Sequence, residues 1–283
     1  MLRTILLHVG SPKCGSTYLQ RVLLRNQARL GAAGIAYPHN GGNHPGNAAG
    51  LRGITGETLD IVAKGAHTLV LSHEDLFAAF KDGQSLSETV TERGLDLHLL
   101  VFLRPFSGFV FGDYSQFMKQ HFDSYVSTRT PYEGRSFEEF TVYRSRVLAV
   151  NGWIKGWQRQ FPGASMTIAN VRDIRRVVAP LLPGADLDWE VPVDATNPSL
   201  RMEDCDRLAM AIRDPDVSRW RLSDMLKEAL KKAGCPDAGR TPERIAWIEA
   251  IFGKQNADLL ESFGFDNRLS EAKVAPEPVT LKG

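Results

Sequence analysis

The chain has 283 residues, with 34 Lys+Arg against 33 Asp+Glu and a formal net charge of +1. Hydrophobic residues make up 43% and charged residues 24%, the balance of a globular chain and not of a collagenous, coiled-coil, disulfide-dense or disordered one. Near-neutrality excludes a surface that is basic overall, so an anionic ligand must be held by a local site, and nothing points to nucleic acid.

In chain order, residues 4–9 read as a short buried strand. The apolar start, Ile5-Leu6-Leu7, runs straight into His8, Gly10 and Lys13, which is not the pattern of a signal peptide. Residues 10–15 read as a loop, and 17–31 place Leu19, Val22, Leu23 and Leu30 at helical spacing. Residues 39–56, rich in Gly, Asn, His and Pro, read as a loop leading into a short helix. Apolar strands follow at 68–72, 96–103 and 165–171, with helical patterns at 105–121, 137–160 and 172–182. Residues 123–136 read as a polar insertion, and the chain beyond about 183 as helical, with Trp220 and Trp247 as packing anchors. Residues 272–283 carry Pro276 and Pro278 and read as a fraying tail.

Near-continuous apolar strands alternating with helices predict an α/β fold with a parallel sheet covered on both faces. The pattern is read as a single domain over 1–271. No stretch of about 18 apolar residues occurs, so no membrane span is expected. Cys14, Cys205 and Cys235 form neither a disulfide framework nor a zinc-ligand spacing, which fits a reducing cytoplasm.

The segment Gly10-Ser11-Pro12-Lys13-Cys14-Gly15-Ser16-Thr17 lies between a strand and a helix and has the Gly-x4-Gly spacing of a phosphate loop. Such a loop turns successive N–H groups around an anion, and the following helix N-terminus adds its dipole. Ser16 and Thr17 supply hydroxyl donors. A nucleotide triphosphatase has Lys at the position of Ser16, followed by a magnesium-binding Ser/Thr. Here the lysine is Lys13, inside the loop, which fits an anion grip and not a magnesium site.

The run His8 to Gln20 resembles the 5′-phosphosulfate loop of sulfotransferases that use 3′-phosphoadenosine 5′-phosphosulfate (PAPS). The resemblance implies a P-loop-like three-layer fold with a central parallel sheet and helical C-terminal additions. It implies PAPS as co-substrate, bound by residues 10–17, and 3′,5′-ADP as product. Leu103-Arg104-Pro105, with Phe109, Tyr114 and Gln116, is similar to the family's second motif, which implies that Arg104 holds the 3′-phosphate. The family's serine eight residues later is Gly112 here, and Ser115, roughly one turn on, is the substitute. Asn197-Pro198-Ser199-Leu200 is similar to a late element of bacterial members.

Sulfuryl transfer needs a proton acceptor, positive charge at the leaving oxygen and in-line placement. Lys13 is the candidate for the charge. The base is expected at another strand end on the same sheet edge, and Ser72-His73-Glu74 follows the second strand. Glu74 falls at the family's position for the base and would be made more basic by partial burial; His73 is the alternative. His44, in Asn43-His44-Pro45-Gly46-Asn47, also resembles a family histidine and is a candidate contact to the acceptor. The acceptor is read as a small molecule or carbohydrate, with its pocket shaped by 39–56 and 123–136, and no metal is implied. Two other readings share this loop: a phosphoryl transferase such as a P-loop kinase, and a nucleotide- or partner-binding protein without catalysis.

Overall fold

The computed structural model describes residues 1–192, 197–269 and 278–282. The chain divides into two compact units. The first comprises residues 1–104, 150–196 and 255–283, and the second residues 105–149 and 197–254.

The first unit is α/β, built on a sheet whose strands run, side by side, β2 (Ile35–Ala36), β3 (Thr68–Ser72), β1 (Thr4–His8), β4 (Asp96–Leu103), β5 (Ser165–Asn170) and β6 (Val279–Leu281). Strand β1 (Thr4–His8) leads to α1 (Ser16–Arg25) and α2 (Gln27–Ala32), then to β2 (Ile35–Ala36), α3 (Gly56–Ala63) and β3 (Thr68–Ser72). Helix α4 (Gln84–Arg93) precedes β4 (Asp96–Leu103). The pairings among β1 to β5 are parallel. Ile5, Leu6 and Leu7 on β1 and Leu99, Leu100 and Val101 on β4 are all buried, so both faces of the sheet are covered. On one face α1 packs through Leu19, Val22 and Leu23 against Leu6, Val70, Leu100 and Phe102.

The single helix expected over 17–31 is broken at Asn26. Its side chain donates to the carbonyls of Val22 and Asp188, both at 2.8 Å, and accepts from the Asp188 N–H at 2.9 Å. A side chain that bonds backbone in this way competes with the helix ladder and ends it.

The second unit opens with α5 (Phe106–Thr128), followed by α6 (Phe137–Val147). The chain then re-enters the first unit with α7 (Val150–Gln160), β5 (Ser165–Asn170) and α8 (Ile174–Leu181). Helices α9 (Met202–Arg213), α10 (Arg219–Lys231) and α11 (Pro242–Ile251) belong to the second unit. Helix α12 (Gly253–Phe263) and β6 (Val279–Leu281) complete the order.

Three further expectations change. Residues 123–136 are not an insertion but the end of α5 and a turn. Met118, Phe122, Tyr125 and Val126 repeat at i, i+4, i+7 and i+8 and are all buried. Tyr132 then stacks on Tyr114 at 3.7 Å, and Arg129 donates to the carbonyls of Ile212, Asp214 and Val217. Trp220 is not a packing anchor: it is 71% exposed, because α10 buries Leu222, which points about 200° away around the helix. Trp247 is half-buried. Within the expected fraying tail, Val279–Leu281 form a strand antiparallel to β5, while 272–277 and 283 lie outside the described residues. Among the described residues no helix is long and apolar enough to cross a membrane.

The parallel register places His8 beside Ser72 on one side and Leu100 on the other. His8 is buried, and burial pulls its pKa from 6.5 down to about 4, with the Glu74 charge pulling back. An unfolded chain therefore binds this proton more readily than the folded one between pH 6.5 and 4. Stability contributed by neutral His8 is complete above pH 6.5 and is lost as pH falls through that window. We expect urea unfolding at pH 5.0 to show a stability loss from this group of about 2 kcal/mol relative to pH 7.5. His8→Gln should remove that part of the loss; equal acid losses in both proteins would exclude His8 as the cause.

Candidate functional site

All five parallel strands end at one edge of the sheet. After β1 the chain turns toward β2, and after β4 it proceeds toward β5, on the other side. The neighbouring strands β1 and β4 therefore flank the point where the connections diverge, the usual position of a ligand crevice in open α/β sheets. The Gly10–Gly15 loop follows β1, and Arg104 follows β4.

Gly10, Lys13 and Gly15 have φ of +80°, +59° and +81°. This sequence of left-handed residues turns the loop back on itself before α1, and the Cys14 N–H donates to the Ser11 carbonyl at 3.3 Å. Gly10 is required by close approach as well, since a Cβ there would fall on the Glu74 carbonyl. A Cβ at Gly15 would lie 2.6 Å from Val171 Cγ2 and 2.7 Å from Ile174 Cδ1.

Gly15 is the N-cap of α1 and carries no side chain to satisfy the first-turn N–H groups. Ser16, the first residue of the helix, is 5% exposed, and its Oγ has no hydrogen-bond partner. A buried hydroxyl left unpaired beside helix N–H donors is a cost that an anion in the loop would offset. Ser11 is buried, while Pro12, Lys13 and Thr17 are half-buried.

Cys14 is fully buried, which raises its thiol pKa; the neighbouring Arg104 charge and hydrogen bonds from Ser11 and Arg104 oppose the rise. Arg104 thus comes from the end of β4 to the side of the loop. Its carbonyl accepts from Asn267 Nδ2 at 2.9 Å. Ser115 lies in the second unit, where it is 0% exposed and its Oγ accepts from the Leu200 N–H at 2.7 Å. Lys119 donates to Asn197 Oδ1 and to the Pro198 carbonyl, so the 197–200 element is held by α5 at both ends.

Glu74 begins the turn after β3. His44 Nε2 lies 2.8 Å from its Oε1, and Gln20 Nε2 donates to its Oε2 at 3.2 Å. His44 Nδ1 accepts from the Gly46 N–H at 3.1 Å, so in the neutral ring the proton sits on Nε2 and is donated to Glu74. The sequence predicts a carboxylate raised by burial. Burial does raise it, but the hydrogen bond and charge of His44 and the bond from Gln20 outweigh burial and leave the carboxyl below its ordinary range.

His73 stacks on His44 with ring centroids 4.5 Å apart. Its Nδ1 accepts from the Asp75 N–H at 3.2 Å, and burial lowers its pKa, with the Glu74 charge opposing. Both nitrogens of neutral His73 are therefore committed, one as acceptor and one as proton carrier. Of the two base candidates, Glu74 is the one with oxygen lone pairs still available.

Asn47 fastens the 39–56 segment to β3. Its backbone N–H donates to the Ser72 carbonyl at 2.9 Å, its Oδ1 accepts from the Ser72 N–H at 2.8 Å, and its Nδ2 donates to the Val70 carbonyl at 2.8 Å. The side chain reads the strand edge as another strand would. Beyond it, Pro38, Asn40, Ile54, Thr58 and Leu71 line a cleft of about 500 Å³. Sequence reasoning passes over Asn47 and Gln20. Their signal was a buried amide in an apolar helix face for Gln20, and an asparagine in a glycine-rich loop for Asn47. Trp157, fully buried on α7, donates its Nε1 to the carbonyls of Leu76 and Phe77 at 3.1 and 3.2 Å and so braces the turn that carries Glu74.

Gly10→Ala should lower stability at pH 7 by more than about 2 kcal/mol, from the left-handed backbone and the overlap with Glu74 together. Denaturant unfolding measures this, and a loss below about 0.5 kcal/mol would contradict the described approach of loop and turn. Comparison with protein-family models, with curated proteins and with solved structures returns no match.

Proposed function

We propose that the protein is a PAPS-dependent sulfotransferase, with a P-loop-like fold, acting on a hydroxyl or amine of a small molecule or carbohydrate. The observation that carries the reading is the built anion seat: the left-handed turn at Lys13 and Gly15, the uncapped start of α1 and the unpaired buried hydroxyl of Ser16. The position of Arg104 beside Cys14 adds a planar guanidinium suited to a second, terminal phosphate. Glu74, in backbone contact with Gly10, places an ionised carboxylate next to the same loop.

In this reading the acceptor oxygen or nitrogen attacks sulfur in line. Its new bond to sulfur forms as the bond from sulfur to the phosphate oxygen breaks. The acceptor proton passes to Glu74, and the leaving oxygen keeps the bonding electrons as part of 3′,5′-ADP. Lys13 and the loop N–H groups stabilise the charge that develops there, in a seat organised before the reaction. His44, bonded to the other oxygen of Glu74, steadies the carboxylate that receives the proton. The cleft along 39–56 is the proposed entry for the acceptor.

One observation bears against a second hydroxyl donor to the 3′-phosphate. The Ser115 hydroxyl, proposed for the 3′-phosphate, is fully buried and engaged with Leu200, and Gly112 supplies none.

Titration calorimetry should show 3′,5′-ADP binding more tightly than 5′-AMP, and equal affinities would sink the assignment. Transfer of labelled sulfate from PAPS to a panel of alcohols, amines and sugars should be detectable and fall at least about 100-fold in Lys13→Ala. Tight 3′,5′-ADP binding with no transfer to any acceptor would favour the binding protein.

A further inference from the structure

Gln20 lies on α1 one turn beyond Ser16 and is 0% exposed. It takes no part in the anion seat. Its amide nitrogen donates one hydrogen to Ser72 Oγ at 3.1 Å and the other to Glu74 Oε2 at 3.2 Å. These donations fix the direction of the bonds behind them. Ser72 Oγ accepts from Gln20, so its own hydrogen is left for His8 Nδ1, 2.8 Å away. That bond needs Nδ1 without a proton, and burial holds the His8 ring neutral. The ring hydrogen then sits on Nε2, which is buried without a partner.

The chain of donors thus diverges from Gln20, one branch ending on His8 and the other on Glu74. Reversing the Gln20 amide would set its carbonyl oxygen against the carboxylate, and the position Oε1 now occupies offers no hydrogen-bond partner to reward the turn. A protonated His8 would donate to Ser72 Oγ and leave the serine hydrogen without its present acceptor. Gly46 closes the network from outside: a Cβ there would stand 2.9 Å from the Ser72 carbonyl, 3.0 Å from Gln20 Nε2 and 3.0 Å from His44 Cε1.

We propose that Gln20 is a positioning residue for Glu74, anchored by the Ser72–His8 pair, that sets the plane of the carboxylate and keeps it a proton acceptor. The proposal rests on Glu74 receiving the acceptor proton in sulfuryl transfer. Gln20 holds one oxygen and His44 the other, so the carboxylate cannot rotate freely, and each oxygen retains a lone pair. The titratable groups around Glu74 are His44 and His73 against it, His8 across the network, Tyr37 behind the 39–56 segment and Asp75 next in the chain.

The test follows the Glu74 carboxyl through pH by NMR of the full chain labelled with carboxyl-¹³C glutamate. The signal is identified by its loss in Glu74→Gln. Gln20→Leu should shift the Glu74 titration upward, because the carboxylate loses a donor. Ser72→Ala, which keeps the amide but removes its anchor, should shift it in the same direction by less. In turnover assays the acid limb of kcat/KM should move upward with the titration, with kcat lowered and the KM for PAPS unchanged. An unshifted titration in both variants, each folded by its amide spectrum, overturns the proposal. If Gln20→Leu does not fold, an unshifted Ser72→Ala alone overturns it. If the titrations shift and the wild-type protein sulfates no acceptor, Gln20 does position Glu74 and the sulfotransferase reading fails.

Discussion

β1 and β3 lie side by side in parallel, with His8 against Ser72 although 64 residues separate them in the chain. Each strand ends in a turn, and the pairing forces the two turns together until the Gly10 Cα and the Glu74 backbone touch. The juxtaposition of the anion loop and Glu74 follows from that contact. The anion loop and the carboxylate occupy one sheet edge because their strands are neighbours. The loop must begin with glycine because no side chain fits between them. A shift of one residue in this register would set His8 and Ser72 on opposite faces and dissolve the network that reaches Glu74 through Gln20.

The charges in this network are handled by placement and not by number. The chain is close to electrically neutral, yet Glu74 remains an ionised carboxylate beside three imidazoles. Burial alone would push its proton affinity up. Two donors, one from α1 and one from the 39–56 segment, push it further down. The imidazoles contribute through fixed hydrogen-bond roles: His44 donates to Glu74, His73 accepts from the backbone, and His8 accepts from Ser72. A site of this kind gives a local answer to the demand that an overall neutral protein hold an anion.

Much of the first unit was legible in the sequence. The apolar runs at 4–9, 68–72, 96–103 and 165–171 match β1, β3, β4 and β5 within one residue, because strands buried on both faces read as unbroken apolar runs. Gly10–Thr17 was legible because glycine spacing encodes backbone angles directly. What the sequence does not show depends on partners distant in the chain. Asn26 breaks a helix only because Asp188 is there to meet it. Gln20 looks like a stray polar residue until Ser72 and Glu74 are placed beside it. The sign of the Glu74 shift is hidden from the sequence for the same reason, since burial is visible in a sequence pattern and the donors that oppose it are not. In the second unit the polar letters of 123–136 suggested a loop, whereas the buried aromatics among them extend α5 and stack under it.

The division of the chain has a consequence for how the molecule is assembled. Neither unit is one continuous stretch: the first is made of three segments and the second of two. Thr167 on β5 meets Thr280 on β6 across 113 residues, with their hydroxyls 3.0 Å apart. During synthesis from the N-terminus, β5 is therefore completed and left as an open sheet edge while about a hundred further residues, including the rest of the second unit, leave the ribosome. An uncovered parallel edge is a template for pairing with another chain. Before β6 arrives the β5 edge is open to misassembly, for an interval set by the sequence separation and not by the strength of any contact in the finished fold.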